Sequence, residues 1–242
     1  MNLIIDVGNS FIKVAVFKRD EVLQVLKVPE ENFLKNISEI FQKYPEIKRT
    51  MVSSVGKLPE KYMKALAVFA PLKSLTTQSK VPFINEYATP ETLGVDRIAL
   101  ITAAFYAYKH TNCLVIDAGS CITFDFLSSE GKYKGGAISP GIRMRYKAVN
   151  TFTANLPLID SFEIDDFIGN STKSCIISGV LNGTVNEIDA TITQYREKFK
   201  DLTVILTGGD SHFLSKRLKS SIFAHSNFLV EGVNHILELN KH

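Results

Sequence analysis

Two short turns in this sequence place a glycine two residues after an aspartate, each directly after an apolar run. They are Asp6-Val7-Gly8 and Asp117-Ala118-Gly119. Glycine lets a ligand approach the main chain closely, and successive backbone N–H groups in such a turn form a concavity that binds anions. An aspartate would repel a bare phosphate, but it suits a cation that bridges to one. The residue types therefore indicate a metal-assisted phosphate site, to which Asn9, Ser10 and Ser120 add neutral donors.

The same D-x-G pattern is also common in hairpin turns, and for one copy alone that structural interpretation is favoured. The two copies are 111 residues apart (117 − 6) in a chain of 242, at equivalent places in two half-chains. Because the turn occurs twice at equivalent places, the phosphate-site interpretation is favoured over the hairpin interpretation. The repetition predicts two similar lobes with a cleft between them, which is a favoured location for a ligand.

A third polar group, Gly94-Val95-Asp96-Arg97, stands at the start of an apolar helix. An aspartate in a first helical turn interacts favourably with the helix dipole, which is a purely structural interpretation. Alternatively, the carboxylate accepts a proton from a substrate hydroxyl, and the guanidinium binds a substrate carboxylate through two hydrogen bonds. The segment alone leaves both interpretations open.

Other glycines and one acid are ambiguous by themselves. Gly208-Gly209 follows a buried strand and precedes a helix, so the pair either admits a flat base or ribose or simply makes a tight turn. Gly135-Gly136 lies within a strand and predicts a bend or the close approach of another backbone or a ligand. Asp125 shares a strand face with Thr123, either as a supporting acid or as a solvated residue. The sequence has neither a P-loop nor a Rossmann glycine motif.

The elements that position these residues also repeat. Residues 1–69 predict strand, strand, strand, helix, strand, helix, and a three-strand pattern returns at Cys113 after an Ala-rich helix over 94–109. A strand at 202–206 and helices over 171–199 and from Glu231 complete the second half. We therefore expect an α/β protein of duplicated βββαβα units, with domains at 1–110 and 111–242.

Composition narrows the classes of partner. The net charge is +3 with basic residues dispersed, which argues against a nucleic-acid partner. Three cysteines without a C-x-x-C pair fit a reducing compartment, and five histidines show no metal-ligand spacing. Asp6 interrupts the first apolar run too early for a signal peptide, and no apolar stretch approaches membrane-spanning length. We expect a cytoplasmic protein without a membrane partner.

Six motifs occur in order along the chain, and together they are more specific than any one alone. The series closely resembles the type III pantothenate kinases, members of the acetate/sugar kinase, heat-shock chaperone and actin superfamily. The motifs are D-V-G-N-S (6–10), G-V-D-R (94–97), D-A-G-S-C-I-T-F-D (117–125), G-G-A-I-S-P-G (135–141), T-A-N-L-P (153–157) and T-G-G-D (207–210).

The resemblance implies two ribonuclease H-like lobes with the active site in the cleft between them. It implies ATP-dependent phosphorylation of pantothenate, the first step of coenzyme A biosynthesis, and a homodimer with the substrate site near its interface. A monovalent cation, K⁺ or NH₄⁺, would be required besides the divalent cation, Mg²⁺, that accompanies ATP.

The resemblance also implies roles for individual residues. Asp96 would be the catalytic base, Arg97 would lie near the substrate carboxylate, and Asp117 would bind the monovalent cation. The substrate would be contacted by Tyr87, Gly94, Val95, Asp96, Arg97 and Thr172. ATP would be bound by Asp6, Val7, Gly8, Asn9, Ser10, Phe11, Ile12, Lys13 and Ser120. The usual Thr-Ala after D-x-G is Ser120-Cys121 here, which keeps the hydroxyl.

Two rival functions remain at this stage. The first is another small-molecule phosphotransferase of the same fold, which would share the D-x-G pair but would not require G-x-D-R together with Tyr87 and Thr172. The second is a non-catalytic nucleotide-binding regulator, which loss of Asp96 or Arg97 would have favoured. Both residues are present.

Overall fold

The computed structural model describes residues 1–8, 11–54, 58–163 and 166–241, with only the backbone of Ser54. In these ranges the strands are β1 (Asn2–Val7), β2 (Ile12–Lys18), β3 (Glu21–Val28), β4 (Arg49–Ser54), β5 (Leu72–Ser74), β6 (Ile84–Asn85), β7 (Asn112–Ala118), β8 (Cys121–Leu127), β9 (Lys132–Pro140), β10 (Leu202–Thr207) and β11 (Phe223–Ala224). The helices are α1 (Phe33–Lys43), α2 (Glu60–Phe69), α3 (Val95–Ala107), α4 (Ile142–Thr151), α5 (Thr172–Lys198), α6 (Ser211–Ser215) and α7 (Phe228–Leu239).

The chain forms two compact units, each discontinuous in sequence. The first unit contains Met1–Lys109, Gly131–Tyr133 and the residues from Asn227 onward. The second contains His110–Glu130 and Lys134–Ser226. The division into domains at residue 110 stays a prediction, and the structure adds that the C-terminal helix α7 groups with the first unit.

The sheet of the first unit has the strand order β3-β2-β1-β4-β5. Strand β1 pairs antiparallel with β2 and parallel with β4. It is therefore a central strand, and Leu3, Ile4 and Ile5 on its two faces are all fully buried. Burial on both faces explains why β1 is a continuous apolar run without alternation.

The other sheet has six strands in the order β6-β9-β8-β7-β10-β11, and its five strands from β9 to β11 repeat this arrangement. Strand β7 pairs antiparallel with β8 and parallel with β10, as β1 does with β2 and β4. Asp6 and Asp117 are each the last residue but one of their central strand. The predicted duplication therefore extends from the sequence motif to the order and direction of the strands.

Each unit encloses its own apolar core. In the first, Phe33, Ile37 and Ile40 repeat at helical spacing along α1 and pack against the sheet. In the second, the buried side of the 27-residue helix α5 covers the sheet with Leu181, Ile188 and other apolar residues. Both cores combine one face of a sheet with amphipathic helices, a standard layered arrangement.

The C-terminal helix α7 is joined to the first unit by buried and partly buried hydrogen bonds. The Asn2 side-chain amide donates to Asn234 Oδ1 at 2.9 Å and to Glu238 Oε1 at 2.7 Å. The Asn234 amide in turn donates to the carbonyl of Arg19 at 2.8 Å. Helices α3 and α7 also approach closely, since a Cβ atom on Gly232 would lie 1.8 Å from the Ala99 carbonyl oxygen.

Most predicted elements are present, with differences at short or irregular segments. The helix expected from Pro29 begins as a 3₁₀ turn at Glu30–Asn32 and becomes α-helical at Phe33. Strands β6 and β11 were not predicted because each has two residues, both exposed, and carries no periodic pattern. Within the described ranges, each helix falls short of the length or the hydropathy needed to cross a bilayer.

Candidate active site

The first D-x-G turn lies at the end of β1. Asp6 stands in register with Lys13 on β2 and with Ser53 on β4. The Gly8 N–H donates to the Phe11 carbonyl at 3.2 Å and closes the turn. Residues 9 and 10, predicted as phosphate contacts, lie outside the described residues.

The carboxyl group of Asp6 is a weaker acid than an ordinary aspartate side chain. Burial, which disfavours its charged form, raises its pKa to about 6. The positive charge of Lys13 acts in the opposite direction, and the negative charge of Asp96 raises the pKa further. Asp6 and Asp96 therefore interact electrostatically within the first unit, although they are 90 residues apart (96 − 6) in sequence.

The G-V-D-R segment forms the first turn of α3. Gly94 is its N-cap residue, and the Arg97 N–H donates to Asp96 Oδ1 at 2.8 Å. This hydrogen bond holds the Asp96 carboxylate against the first turn of the helix. A Cβ atom on Gly94 would lie 2.4 Å from the same Oδ1 atom. A larger residue at position 94 would therefore displace the Asp96 carboxylate.

Arg97 is a buried cation, 5% exposed, beside an aromatic ring. Its guanidinium carbon lies 5.5 Å from the centroid of Tyr87, which is cation–π distance. Five of the six predicted substrate residues thus lie in one unit: Tyr87, Gly94, Val95, Asp96 and Arg97. A fixed guanidinium beside a carboxylate base is suited to binding and deprotonating a hydroxy acid.

The second D-x-G turn, between β7 and β8, is one residue shorter than the first. Ala118 pairs with Ile122 here, whereas Val7 pairs with Ile12. The Gly119 N–H donates to the Cys121 carbonyl at 2.9 Å, and Ser120 is exposed. An exposed hydroxyl at a glycine turn is a group of the kind that contacts phosphate oxygens.

Two distant glycines pack directly against this turn. A Cβ atom on Gly141, the N-cap residue of α4, would lie 2.1 Å from the Gly119 carbonyl oxygen. One on Gly208, which has φ of 94°, would lie 2.3 Å from the Ala118 carbonyl oxygen. Gly141 of G-G-A-I-S-P-G and Gly208 of T-G-G-D are therefore required by the close approach of three backbone segments.

Comparison with known proteins now places these motifs in a family. The family model described as type III pantothenate kinase matches residues 2–194. The chain belongs to the type III pantothenate kinase family. A relative of that name from Christiangramia forsetii is 49% identical over 100% of this chain and 99% of its own. Another, from Flavobacterium johnsoniae, is 44% identical over 97% and 96% of the two chains.

Solved structures support the fold at lower similarity. A Campylobacter jejuni protein named as a Baf family transcriptional activator has a TM-score of 0.64 and 21% identity, with 99% of this chain and 98% of that one covered. A Listeria monocytogenes protein assigned as an N-acetylmannosamine kinase has a TM-score of 0.52 and 10% identity, with 100% and 99% covered. At these identities the likeness concerns the fold alone, and it confirms the predicted α/β fold class.

The remaining family residues lie in the second unit. Thr172, the predicted substrate contact, is exposed at the first position of α5, between the two residues of a capping box, Ser171 and Ser174. Asp125 is fully buried in β8, so its interpretation as a solvated strand residue is wrong.

Sequence reasoning missed one ion pair beside the glycine turns. The buried carboxylate of Asp210, the last residue of T-G-G-D, accepts a hydrogen bond from Arg143 Nη1 at 3.1 Å. Burial raises the pKa of Asp210, and Arg143 counteracts this rise. The Asp210 N–H also donates to the Ala118 carbonyl at 2.9 Å. No local signal could have paired residues 67 positions apart, although the aspartate itself lay in a quoted motif.

Proposed function

We propose that this chain transfers the γ-phosphoryl group of ATP to the hydroxyl of pantothenate, giving 4'-phosphopantothenate, the first step of coenzyme A biosynthesis. The observation that carries this proposal is the G-V-D-R turn at the start of α3. It combines a carboxylate that interacts with Asp6 and a buried guanidinium in a chain of this kinase family.

Asp96 is the proposed base. Its carboxylate would accept the proton of the pantothenate hydroxyl and hold the oxygen in line with the γ-phosphorus. Phosphoryl transfer requires mainly positioning and charge stabilisation, so a carboxylate of modest basicity is sufficient. Arg97 would bind the substrate carboxylate, with Gly94, Val95 and Tyr87 around it and Thr172 as a further contact.

The turn from Asp6 to Lys13 is the proposed ATP phosphate site, together with Ser120. The Asp6 carboxylate suits the Mg²⁺ that accompanies ATP. The Ser53 hydroxyl beside it in register is buried and makes no hydrogen bond within the described part of the chain. Mg²⁺ would supply charge neutralisation at the phosphates, and Asp6 would be ionised in that state.

Asp117 is the proposed ligand of K⁺ or NH₄⁺. Its cross-strand neighbour in register is Thr123, in the place that Lys13 occupies beside Asp6. Directly paired residues share a face of the sheet, and the buried Thr123 hydroxyl makes no hydrogen bond within the described residues. A monovalent cation would therefore provide at Asp117 the positive charge that the Lys13 ammonium provides at Asp6.

We also propose a cytoplasmic homodimer without nucleic-acid or membrane partners. The exposed side of α5 carries Gly179 and Gly183, where an added Cβ atom would meet nothing within 4 Å. Such a smooth helical face can approach a second copy closely, near Thr172. Free thiols at all three cysteines fit a reducing compartment.

Substrate-dependent ADP release tests the function. Pantothenate, sugars and acetate are each supplied with ATP and Mg²⁺ in sodium or in potassium buffer. We expect turnover with pantothenate in potassium and a loss of at least about 100-fold in kcat for Asp96→Asn. Equal turnover with a sugar would favour another phosphotransferase, and ATP binding without turnover of any substrate would favour a regulator.

The matched control is Asp201→Asn. Asp201 is exposed and has φ of 54°, a conformation that asparagine also tolerates, so this variant makes the same chemical change away from the proposed site. We expect its kcat to be unchanged. Full activity of Asp96→Asn would contradict the role of Asp96 as base.

A further inference from the structure

An aromatic row leads from the interior of the first unit to the guanidinium of Arg97. Phe83 and Tyr133 meet edge to face, with ring centroids 6.0 Å apart. Tyr133 and Tyr87 are stacked, with centroids 6.0 Å apart and planes 25° apart. Tyr87 then lies against the Arg97 guanidinium at 5.5 Å. We call Phe83, Tyr133, Tyr87 and Arg97 the aromatic row.

The members of the row differ in burial. Tyr133 is completely buried, and Phe83 is 6% exposed. Tyr87 is half-buried, and its neighbours Glu86 and Ala88 are exposed. The segment that carries Tyr87 therefore has little core of its own, and the Tyr133 ring connects it to the interior.

The backbone around Tyr133 holds the same segment. Strand β6 pairs parallel with the start of β9, with Ile84 opposite Lys132 and Asn85 opposite Tyr133. The Glu86 N–H donates to the Tyr133 carbonyl at 3.0 Å. The Tyr87 N–H donates to Asn85 Oδ1 at 3.0 Å, which turns the chain towards α3.

We propose that Tyr133 is a positioning residue for the substrate carboxylate. It acts through Tyr87, whose ring lies against the guanidinium of Arg97. A guanidinium binds a carboxylate through its edge, in the plane of the group, so the direction of its N–H bonds depends on what lies against it. Tyr133 thus comes from the second half of the sequence but orients a side chain at the start of α3. This inference rests on the proposed function.

The test compares three variants. Tyr133→Phe keeps the ring and removes the hydroxyl, whereas Tyr133→Leu removes the ring. Tyr62→Leu is the matched control, because Tyr62 is also a buried tyrosine of the first unit that packs on another ring, Phe33, at 4.9 Å. A general loss of packing would affect both leucine variants alike.

Steady-state kinetics give the first readout. For Tyr133→Leu we expect the KM for pantothenate to rise about 10-fold, because a factor of this size corresponds to one misaligned charged contact. The KM for ATP and kcat should change less than about twofold. With pantothenyl alcohol, in which the carboxylate is replaced by a hydroxymethyl group, Tyr133→Leu and the unaltered chain should have the same KM.

The two control variants and the other substrates decide whether the effect is specific to the substrate carboxylate. Tyr133→Phe and Tyr62→Leu should keep the KM for pantothenate of the unaltered chain. An equal rise in KM for the alcohol, for ATP or in Tyr62→Leu would reduce Tyr133 to a packing residue and overturn the proposal.

A second readout does not depend on the reaction. Amide hydrogen exchange should increase at Glu86 and Tyr87 in Tyr133→Leu but not in Tyr133→Phe. If the unaltered chain does not turn over pantothenate, the proposed function fails. If amide hydrogen exchange is unchanged in Tyr133→Leu, the positioning role of Tyr133 is contradicted, whether or not the proposed function holds.

Discussion

Gly208 and Asp117 are in contact across the second unit: a Cβ atom on Gly208 would lie 2.4 Å from Asp117 Oδ1. Gly208 also has φ of 94°, in the left-handed region. The carboxylate proposed to bind a monovalent cation therefore rests against a position that only glycine can occupy without displacing it. The T-G-G-D turn packs against the D-A-G turn, and this contact gives Gly208 a structural explanation.

Gly208→Ala should therefore destabilise the protein. The alanine would adopt a left-handed conformation and displace the Ala118 backbone, at a cost of about 2–4 kcal/mol in the free energy of unfolding. Gly209→Ala is the control, since its Cβ atom would meet nothing within 4 Å. We expect denaturant unfolding to show a change below about 0.5 kcal/mol for that variant. Equal losses in both variants would contradict the packing argument.

Asp6 should make stability depend on pH. Its pKa in the folded protein is about 6, above the ordinary value of 3.8, so the folded state binds the proton more tightly than the unfolded state. Its contribution is therefore most favourable below pH 4 and is lost as the pH rises through 6. A shift of this size corresponds to at most about 3 kcal/mol, less for the part of the side chain that contacts solvent.

Asp6→Asn removes this titration. We expect the variant to be more stable than the unaltered chain at pH 8, with a difference that disappears at pH 3. Chemical unfolding at a series of pH values, without nucleotide or Mg²⁺, measures that difference. A pH-independent difference would show that the Asp6 carboxyl titrates normally.

Arg143 should stabilise the protein through Asp210. Arg143→Ala would leave a buried carboxylate without this guanidinium, and we expect a loss of about 1–2 kcal/mol at pH 8. The loss should be smaller at pH 4, because protonation removes the charge on Asp210. In an Asp210→Asn background, Arg143→Ala should cost little. Additive losses in this double-mutant cycle would show that the pair is not coupled.

Asn234 should be required for the docking of α7. It is 1% exposed and bonds to both the Asn2 side chain and the Arg19 carbonyl. Asn234→Ala should cost about 1–2 kcal/mol in unfolding free energy, because the Asn2 amide loses a buried acceptor and the Arg19 carbonyl loses its donor. Asn36→Ala, which removes an exposed bond to the Asn32 carbonyl, should have a small effect. Equal effects would contradict the docking role of Asn234.

The sequence by itself determined the features that depend on local pattern. Apolar runs, D-x-G turns and helical periodicity act over a few residues, and their recurrence after 111 positions was sufficient to predict a duplicated α/β fold. The G-V-D-R turn was likewise recognisable, because helix start and chemical groups lie within four residues. The assignment of substrate, ATP and cation to these groups stays a prediction.

Only the tertiary structure decided which distant segments meet. Helix α7 groups with the first unit, Arg143 reaches Asp210, and Tyr133 stacks on Tyr87. None of these pairs has a periodic signature, because each depends on strand order and on packing between residues 46 to more than 200 positions apart. The two-residue strand β6 could not be predicted for the same reason. Both of its residues are exposed, and it is a strand because it pairs with β9.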